Sequence, residues 1–324
     1  MITRSFIHLI VFVFMTTSAL ADVLDKVTIA GWGKAISEIT NILAEPEKGF
    51  FKAKGIELGY VPGTGGGSAI TNMLTGAADI AFTDPSSFYQ ALDRGERLIA
   101  IYNIYPQNVF NVVSLKERSI KTVSDLKGKT IGVYSLNSGT RQNLLYLLHK
   151  EGLSESDVNI QVVGLLNFAP LIQGQVDATA ATDTGLYVGK LKGLSSVNVI
   201  NVKDSLNVPS DMFVVTSKYY MENKELLRRF LAAYRDSAAW MIAQPEEAAK
   251  IAVDRSINGR DVSVNLGIIK LRNISAQSKT TKVKGLGHFD LDILQLGADA
   301  YLSNGLIKSR LDMSQVIKSD LIPE

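Results

Sequence analysis

From Val23 onward the hydrophobic positions alternate between two spacings. Short runs of β-branched and aromatic residues, "VTIAGWG", "IELGYVPG", "ADIAFTD" and "RLIAIYNIY", predict strands. Between them, residues 36–54, "SAITNMLTG" and "SSFYQALDRGE" carry apolar residues at helical spacing. After Tyr105 the series restarts with extended "NVFNVVSL", a turn-rich "VSDLKGK" and the strand "TIGVYSL". "TRQNLLYLLHKEG" then predicts a helix that stops at Gly152. "VNIQVVGL", "PLIQGQ", "VDATAATD" and "GLYVGKLKG" repeat strand, short helix, strand, helix. "VNVINV" and "MFVVTSKYY" are a last pair of strands before a tail that reads as nearly all helical. Strands separated by helices of this length indicate βαβ units and a largely parallel sheet.

The two halves echo each other. Gly76-Ala77-Ala78-Asp79 opens a strand ending in Thr83-Asp84, followed by Pro-Ser-Ser and a helix. Gly174-Gln175-Val176-Asp177 opens one ending in Thr182-Asp183, followed by Thr-Gly and a helix. A shared order of strand, loop and short helix precedes each, which suggests two α/β lobes built alike.

Composition narrows the classes. The chain has 324 residues, 46% hydrophobic and 20% charged, enough for two lobes with a real core. Basic residues number 34 against 32 acidic, so no strong field selects nucleic acid or a membrane surface. There is no cysteine, which excludes a disulfide scaffold, a thiolate nucleophile and a cysteine-linked lipid anchor. At the N-terminus, Arg4, the apolar run Phe6 to Met15 and the pattern Ala19-Leu20-Ala21 predict a signal peptide over residues 1–21. The apolar run is about half of the roughly 20 residues a spanning helix needs. A free protein in the periplasm is therefore expected.

In open α/β sheets, ligands bind beyond the carboxyl ends of the strands, where helix N-termini point. Here those loops are small and polar: Gly31-Trp32-Gly33-Lys34, Gly63 to Ser68, Asp84 to Ser87, Ser135 to Thr140 and Thr182 to Gly185. The stretch "GYVPGTGGGSAITNM" lacks the lysine and Ser/Thr of a phosphate loop, and its glycines do not fit a dinucleotide fingerprint. A glycine turn leading to Ser68 or a neighbour as helix cap remains, either as an anion or carbonyl cradle or as a plain connector. "LNSGT" holds the matching place in the other half. Trp32 either stacks on a planar ligand or fills space between lobe and tail. Lys34 either pairs with a ligand acid or is solvated. Asp84 and Asp183 each cap a helix or hold a ligand donor. His149 and His288 have no partner at metal or triad spacing. No catalytic apparatus, metal or cofactor is expected.

The run "AEPEKGFFKAKGIELGYVPGTGGGSAITNMLTGAADIAF", with "KTVSDLKGKTIGVYSLNSGT" and "PLIQGQVDATAATD" following in order, resembles solute-binding proteins of ABC importers of the nitrate, sulfonate and taurine type. That group also includes the THI5-like pyrimidine-precursor binders. The resemblance covers most of residues 27–240 and implies the type II periplasmic-binding-protein fold. This fold has two α/β lobes with mixed, mainly parallel sheets joined by two crossing strands, here with a helical C-terminal tail. Lobe 1 is expected over 22–109 plus 214–324, and lobe 2 over 110–213. Carried onto this chain, the ligand loops fall on Trp32, Gly33, Lys34, Gly65, Gly66, Gly67, Ser68, Asp84, Ser86, Asn137, Ser138, Gly139, Thr140 and Asp183. The first-strand loop "GWGKAISE" lacks the tryptophan-proline-asparagine pattern of the pyrimidine binders, and "TD" before Thr184 lacks the tryptophan-aspartate-proline of many sulfonate binders. The expectation is a monomer delivering a small organic, anionic solute (a sulfonate, a carboxylate or a pyrimidine-like ring) to an ABC permease and ATPase complex. A sensor's ligand-binding partner and an enzyme on the same scaffold are the alternatives.

Overall fold

The structure, a computed structural model, describes residues 23–166 and 168–323; the expected signal peptide lies outside them. Ten strands form two five-stranded sheets. The first sheet contains β1 (Asp25–Ala30), β2 (Ile56–Val61), β3 (Ile80–Thr83) and β4 (Leu98–Tyr105). The second contains β5 (Phe110–Leu115), β6 (Thr130–Val133), β7 (Asn159–Val162), β8 (Ala178–Thr182) and β9 (Val197–Asn201). The chain then returns, and β10 (Asp211–Thr216) joins the first sheet.

The orders are β2-β1-β3-β10-β4 and β7-β6-β8-β5-β9. β1 is parallel to β2 and β3, and β10 lies antiparallel between β3 and β4. β6 is parallel to β7 and β8, and β5 lies antiparallel between β8 and β9. Each sheet thus has its one reversed strand in the fourth place, supplied by the chain as it enters or leaves the lobe. This is the type II architecture, with mixed sheets and two crossings.

The sequence echo has a physical basis. Asp79 accepts a bond from the Thr28 amide at 2.8 Å, and its own amide donates to the Thr28 carbonyl at 2.9 Å. Asp177 does the same with Thr130, at 3.0 and 2.8 Å. In both lobes an aspartate entering the central strand therefore ties it to the neighbouring parallel strand.

Residues 36–54 depart from expectation. They form no single helix but short turns: Ser37–Ile39, Thr40–Leu43, Glu45–Lys48 and Lys52–Lys54. Pro46 lacks an amide to extend the preceding ladder, and Gly49 and Gly55 take φ of 65° and 72°, which end helical runs. The Glu45 carboxylate accepts from the amides of Phe51 and Lys52 at 2.9 and 2.8 Å, closing the turn.

The tail packs as helices Lys224–Ala243, Pro245–Arg255, Val262–Ser275 and Leu291–Ser303. Phe230 and Tyr234 of the first lie edge-on to Phe213 of β10, with ring centroids 5.3 and 4.6 Å apart. Behind the cleft, Tyr301 stacks on Tyr146 of the second lobe at 6.0 Å. The two connections are tied together: the Asn108 side chain donates to the Leu206 carbonyl at 3.1 Å, and its backbone amide donates to the Asn207 side-chain oxygen at 2.9 Å.

Candidate functional site

The strand ends of the two sheets face each other across a cavity of about 630 Å³, its mouth included. Of the loops singled out above, Trp32, Gly65, Gly66, Asp84, Ser138, Gly139 and Thr140 line it. Trp32 meets Phe82 and Tyr134 edge-on at 6.4 and 6.5 Å, so it packs and lines at once. Its buried indole N–H has no hydrogen-bond partner in the protein.

Helix Gly66–Leu74 begins at Gly66, three residues earlier than a Ser68 cap requires. Gly65 is its N-cap, at φ 132°, and Ser68 instead accepts from the Thr64 amide at 2.9 Å. A Cβ on Gly66 would fall 2.0 Å from Asp84 Oδ2, and one on Gly139 would fall 3.4 Å from Asp84 Cγ. Both glycines therefore let helix N-termini from opposite lobes approach one carboxylate. Asp84 caps its own helix, Pro85–Asp93, by accepting from the Ser87 amide at 2.9 Å and the Ser87 hydroxyl at 2.8 Å. Burial pushes its pKa up, and the Ser87 bonds partly offset this. In the second lobe Ser138 caps helix Gly139–Lys150, and Thr140 accepts from the Tyr134 amide at 3.0 Å. The amides of Gly66, Gly139 and Thr140 stand in first helical turns, where the helical ladder offers no acceptor.

The remaining expected residues lie around the cavity without lining it. Gly33 accepts from the Tyr60 hydroxyl at 2.8 Å, and Lys34 is exposed. Ser86 accepts from the Tyr301 hydroxyl at 2.5 Å. Gly67 donates to the Asn137 carbonyl across the cleft at 3.2 Å, so these two clasp the lobes. Asp183 is not the cap of its helix; Thr182 is, accepting from the Gly185 amide. Asp183 pairs instead with Arg272 of the tail.

Sequence reasoning missed Glu38, Phe110, Tyr134, Asp211 and Arg272, all of which line the cavity. Arg272 is 1% exposed, lies 5.3 Å over the Tyr105 ring, and forms an ion pair with Glu38 at 3.4 Å without hydrogen-bond geometry at Nε. Glu38 accepts from the Thr184 hydroxyl of the other lobe at 2.7 Å. Asp211 opens β10 and is 8% exposed, and no donor among the described residues reaches its carboxyl. Burial, and then the charges of Asp84 and Glu38, hold its pKa well above the carboxylate range. An arginine inside the apolar "LGIIKLRNIS" and an acid opening "DMFVVT" were the available signals.

Among the described residues lining the cavity, Glu38, Asp84 and Asp211 are the acids and Arg272 is the one cation, and Arg272 is already engaged by Glu38 and by Asp183. Among the described residues, no group of three or more His, Asp or Glu is placed to hold a metal ion. The arrangement is a hydrogen-bonding, aromatic-walled binding cavity between two lobes.

A cavity between two α/β lobes with this strand order is the architecture of the periplasmic-binding-protein fold. A sequence profile described as "NMT1/THI5 like" matches residues 36–248, and the chain belongs to that family. It is 25% identical over 300 residues to the riboflavin-binding protein RibY of Chloroflexus aurantiacus, covering 89% of this chain and 85% of that one. It is 22% identical over 209 residues to the formylaminopyrimidine-binding protein of Halalkalibacterium halodurans, covering 63% of each. Among solved structures, the alkanesulfonate-binding protein SsuA of Xanthomonas axonopodis pv. citri, bound to MOPS, superposes with a TM-score of 0.71 at 19% identity, covering 91% of this chain and 98% of that one. The nitrate-binding protein NrtA of Synechocystis PCC 6803 gives 0.67 at 12%, covering 92% and 87%.

Proposed function

We propose that this protein is the exported solute-binding component of an ABC importer. On this reading it captures a neutral, planar nitrogen heterocycle in the interlobe cavity and presents it to a permease and ATPase. The observation that carries the ligand class is Asp211, a buried carboxyl without a protein donor, facing the cavity beside Asp84. Burial already disfavours ionisation of Asp84 and Asp211, so a ligand sulfonate or carboxylate would bring unpaired charge into a site that does not favour it. A ring N–H or amino group satisfies Asp211, while ring nitrogens or carbonyls take the Trp32 indole and the helix-start amides. Of the sulfonate, carboxylate and pyrimidine-like ring expected from the sequence, this reading favours the ring. The two relatives named for riboflavin and formylaminopyrimidine bind ligands of this kind, which supports the reading.

Calorimetric titration with riboflavin, formylaminopyrimidine and ethanesulfonate tests it. A heterocycle should bind and the sulfonate should not. Tight sulfonate binding, or no binding of either heterocycle at millimolar concentration, overturns the ligand class. Export is checked by N-terminal sequencing of periplasmic material, expected to begin at Asp22. Copurification with an ABC permease checks the transport role.

A further inference from the structure

A second chamber adjoins the cavity. It encloses about 1110 Å³, against about 630 Å³ for the first, mouths included. Ile36, Glu38, Leu165 and Thr182 line both, so the two spaces lie side by side. Phe168, Ile172 and Val188 of the second lobe face Ile268 of the tail across the outer chamber. Its walls are apolar for the larger part, and Leu165 and Ile172 in them remain 43% and 42% exposed. Gln173 and Lys192 contribute polar groups to its lining, and both are exposed.

The inner chamber carries the buried acids Asp84 and Asp211, and the outer one mixes apolar walls with Thr184, Gln173, Lys192 and Asn258. Ligand sites place few polar groups for orientation and use apolar walls for affinity, and volumes of roughly 300–1000 Å³ suit drug-sized ligands. One ring hydrogen-bonded at Asp211 and Trp32 would leave the outer walls in water. The outer chamber also has walls from both lobes, so whatever fills it stabilises the closed state.

We propose that the outer chamber is a second ligand subsite, and that the solute has two parts. A planar heterocyclic head sits in the inner chamber, and a fused ring or chain with mainly apolar surface and a hydroxylated end extends past Glu38 and Leu165 into the outer one. This rests on the functional reading above, whose head group it extends.

The test uses the full mature chain and the two heterocycles titrated above, the three-ring flavin with its polyol chain and the single-ring pyrimidine. The flavin is expected to bind at least tenfold more tightly. Val188→Trp, which fills the outer chamber, should weaken the flavin at least tenfold and leave the pyrimidine within twofold. Ile172→Trp, at a partly exposed position, should act in the same direction, and melting curves check that both variants fold. If both ligands bind the parent alike, or both variants spare the flavin, the outer subsite is overturned while the heterocycle reading stands. If neither ligand binds the parent, the functional reading falls first and the subsite with it.

Discussion

Asp211 shows how one residue sets the chemistry of the cleft. Its folded pKa is raised, so the folded state keeps a proton that the unfolded chain has already released. Unfolding free energy should then fall as pH rises from the ordinary carboxylate range toward the raised value, and be largest when Asp211 is protonated. Asp211→Asn removes this contribution. Plotted against pH, the difference in stability between variant and parent should therefore move in the variant's favour as pH rises. Groups with lowered pKa, such as Asp93, are common to both proteins and cancel. Denaturant titrations across that pH range measure it, and a flat difference would mean that Asp211 is not strained by burial. The same variant should bind the heterocycle up to about tenfold more weakly, since a hydrogen bond is worth roughly 0.5–1.5 kcal/mol and the amide oxygen still accepts.

At the scale of elements, the paired Asp79 and Asp177 contacts account for the alikeness of the lobes. Asp79→Ala leaves the Thr28 amide without its side-chain acceptor, and Asp177→Ala does the same to Thr130. Each should cost about 1–2 kcal/mol in urea unfolding, because a donor left unpaired loses its bond and its hydration together. Asp79→Asn keeps an acceptor oxygen and should cost less. Equal losses for Ala and Asn would show that the charge, rather than the acceptor, matters. The echo "GAAD…TD" against "GQVD…TD" made this pairing legible, because a turn and an acid before a strand are local features. The segment 36–54 was misread because its apolar spacing is helical, and Pro46, Gly49 and Gly55 interrupt a pattern that burial against the tail maintains.

For the molecule as a whole, the lobes meet as a closed pair. Gly67 bonds Asn137, Gln90 bonds Gln142 at 2.7 Å, and Arg272 of the tail pairs with Asp183. Gly65 is a close backbone approach between the lobes: a Cβ there would stand 2.2 Å from the Asn137 carbonyl oxygen, on backbone at φ 132°. Gly65→Ala should hold the lobes apart. Small-angle scattering with saturating ligand should then give a larger radius of gyration than the parent, and affinity should drop by tenfold or more. A variant that compacts like the parent would show that closure does not need this contact.

The amino-acid order alone determined the alternation of strands and helices, the doubled lobe and the set of glycine and hydroxyl loops at the strand ends. Each of these depends on periodicity or turn chemistry within a few residues. Seven of the expected residues meet around one cavity for that reason. Tertiary structure decided which acids meet. Asp211 reaches Asp84 and Glu38 only because the returning chain inserts β10 beside β3, and Arg272 reaches Asp183 only because the tail folds back across the cleft. Such contacts join residues as much as 173 positions apart (211 − 38), and no local pattern encodes them. The charge of the cavity, and with it the kind of solute it accepts, follows from sheet order and lobe docking.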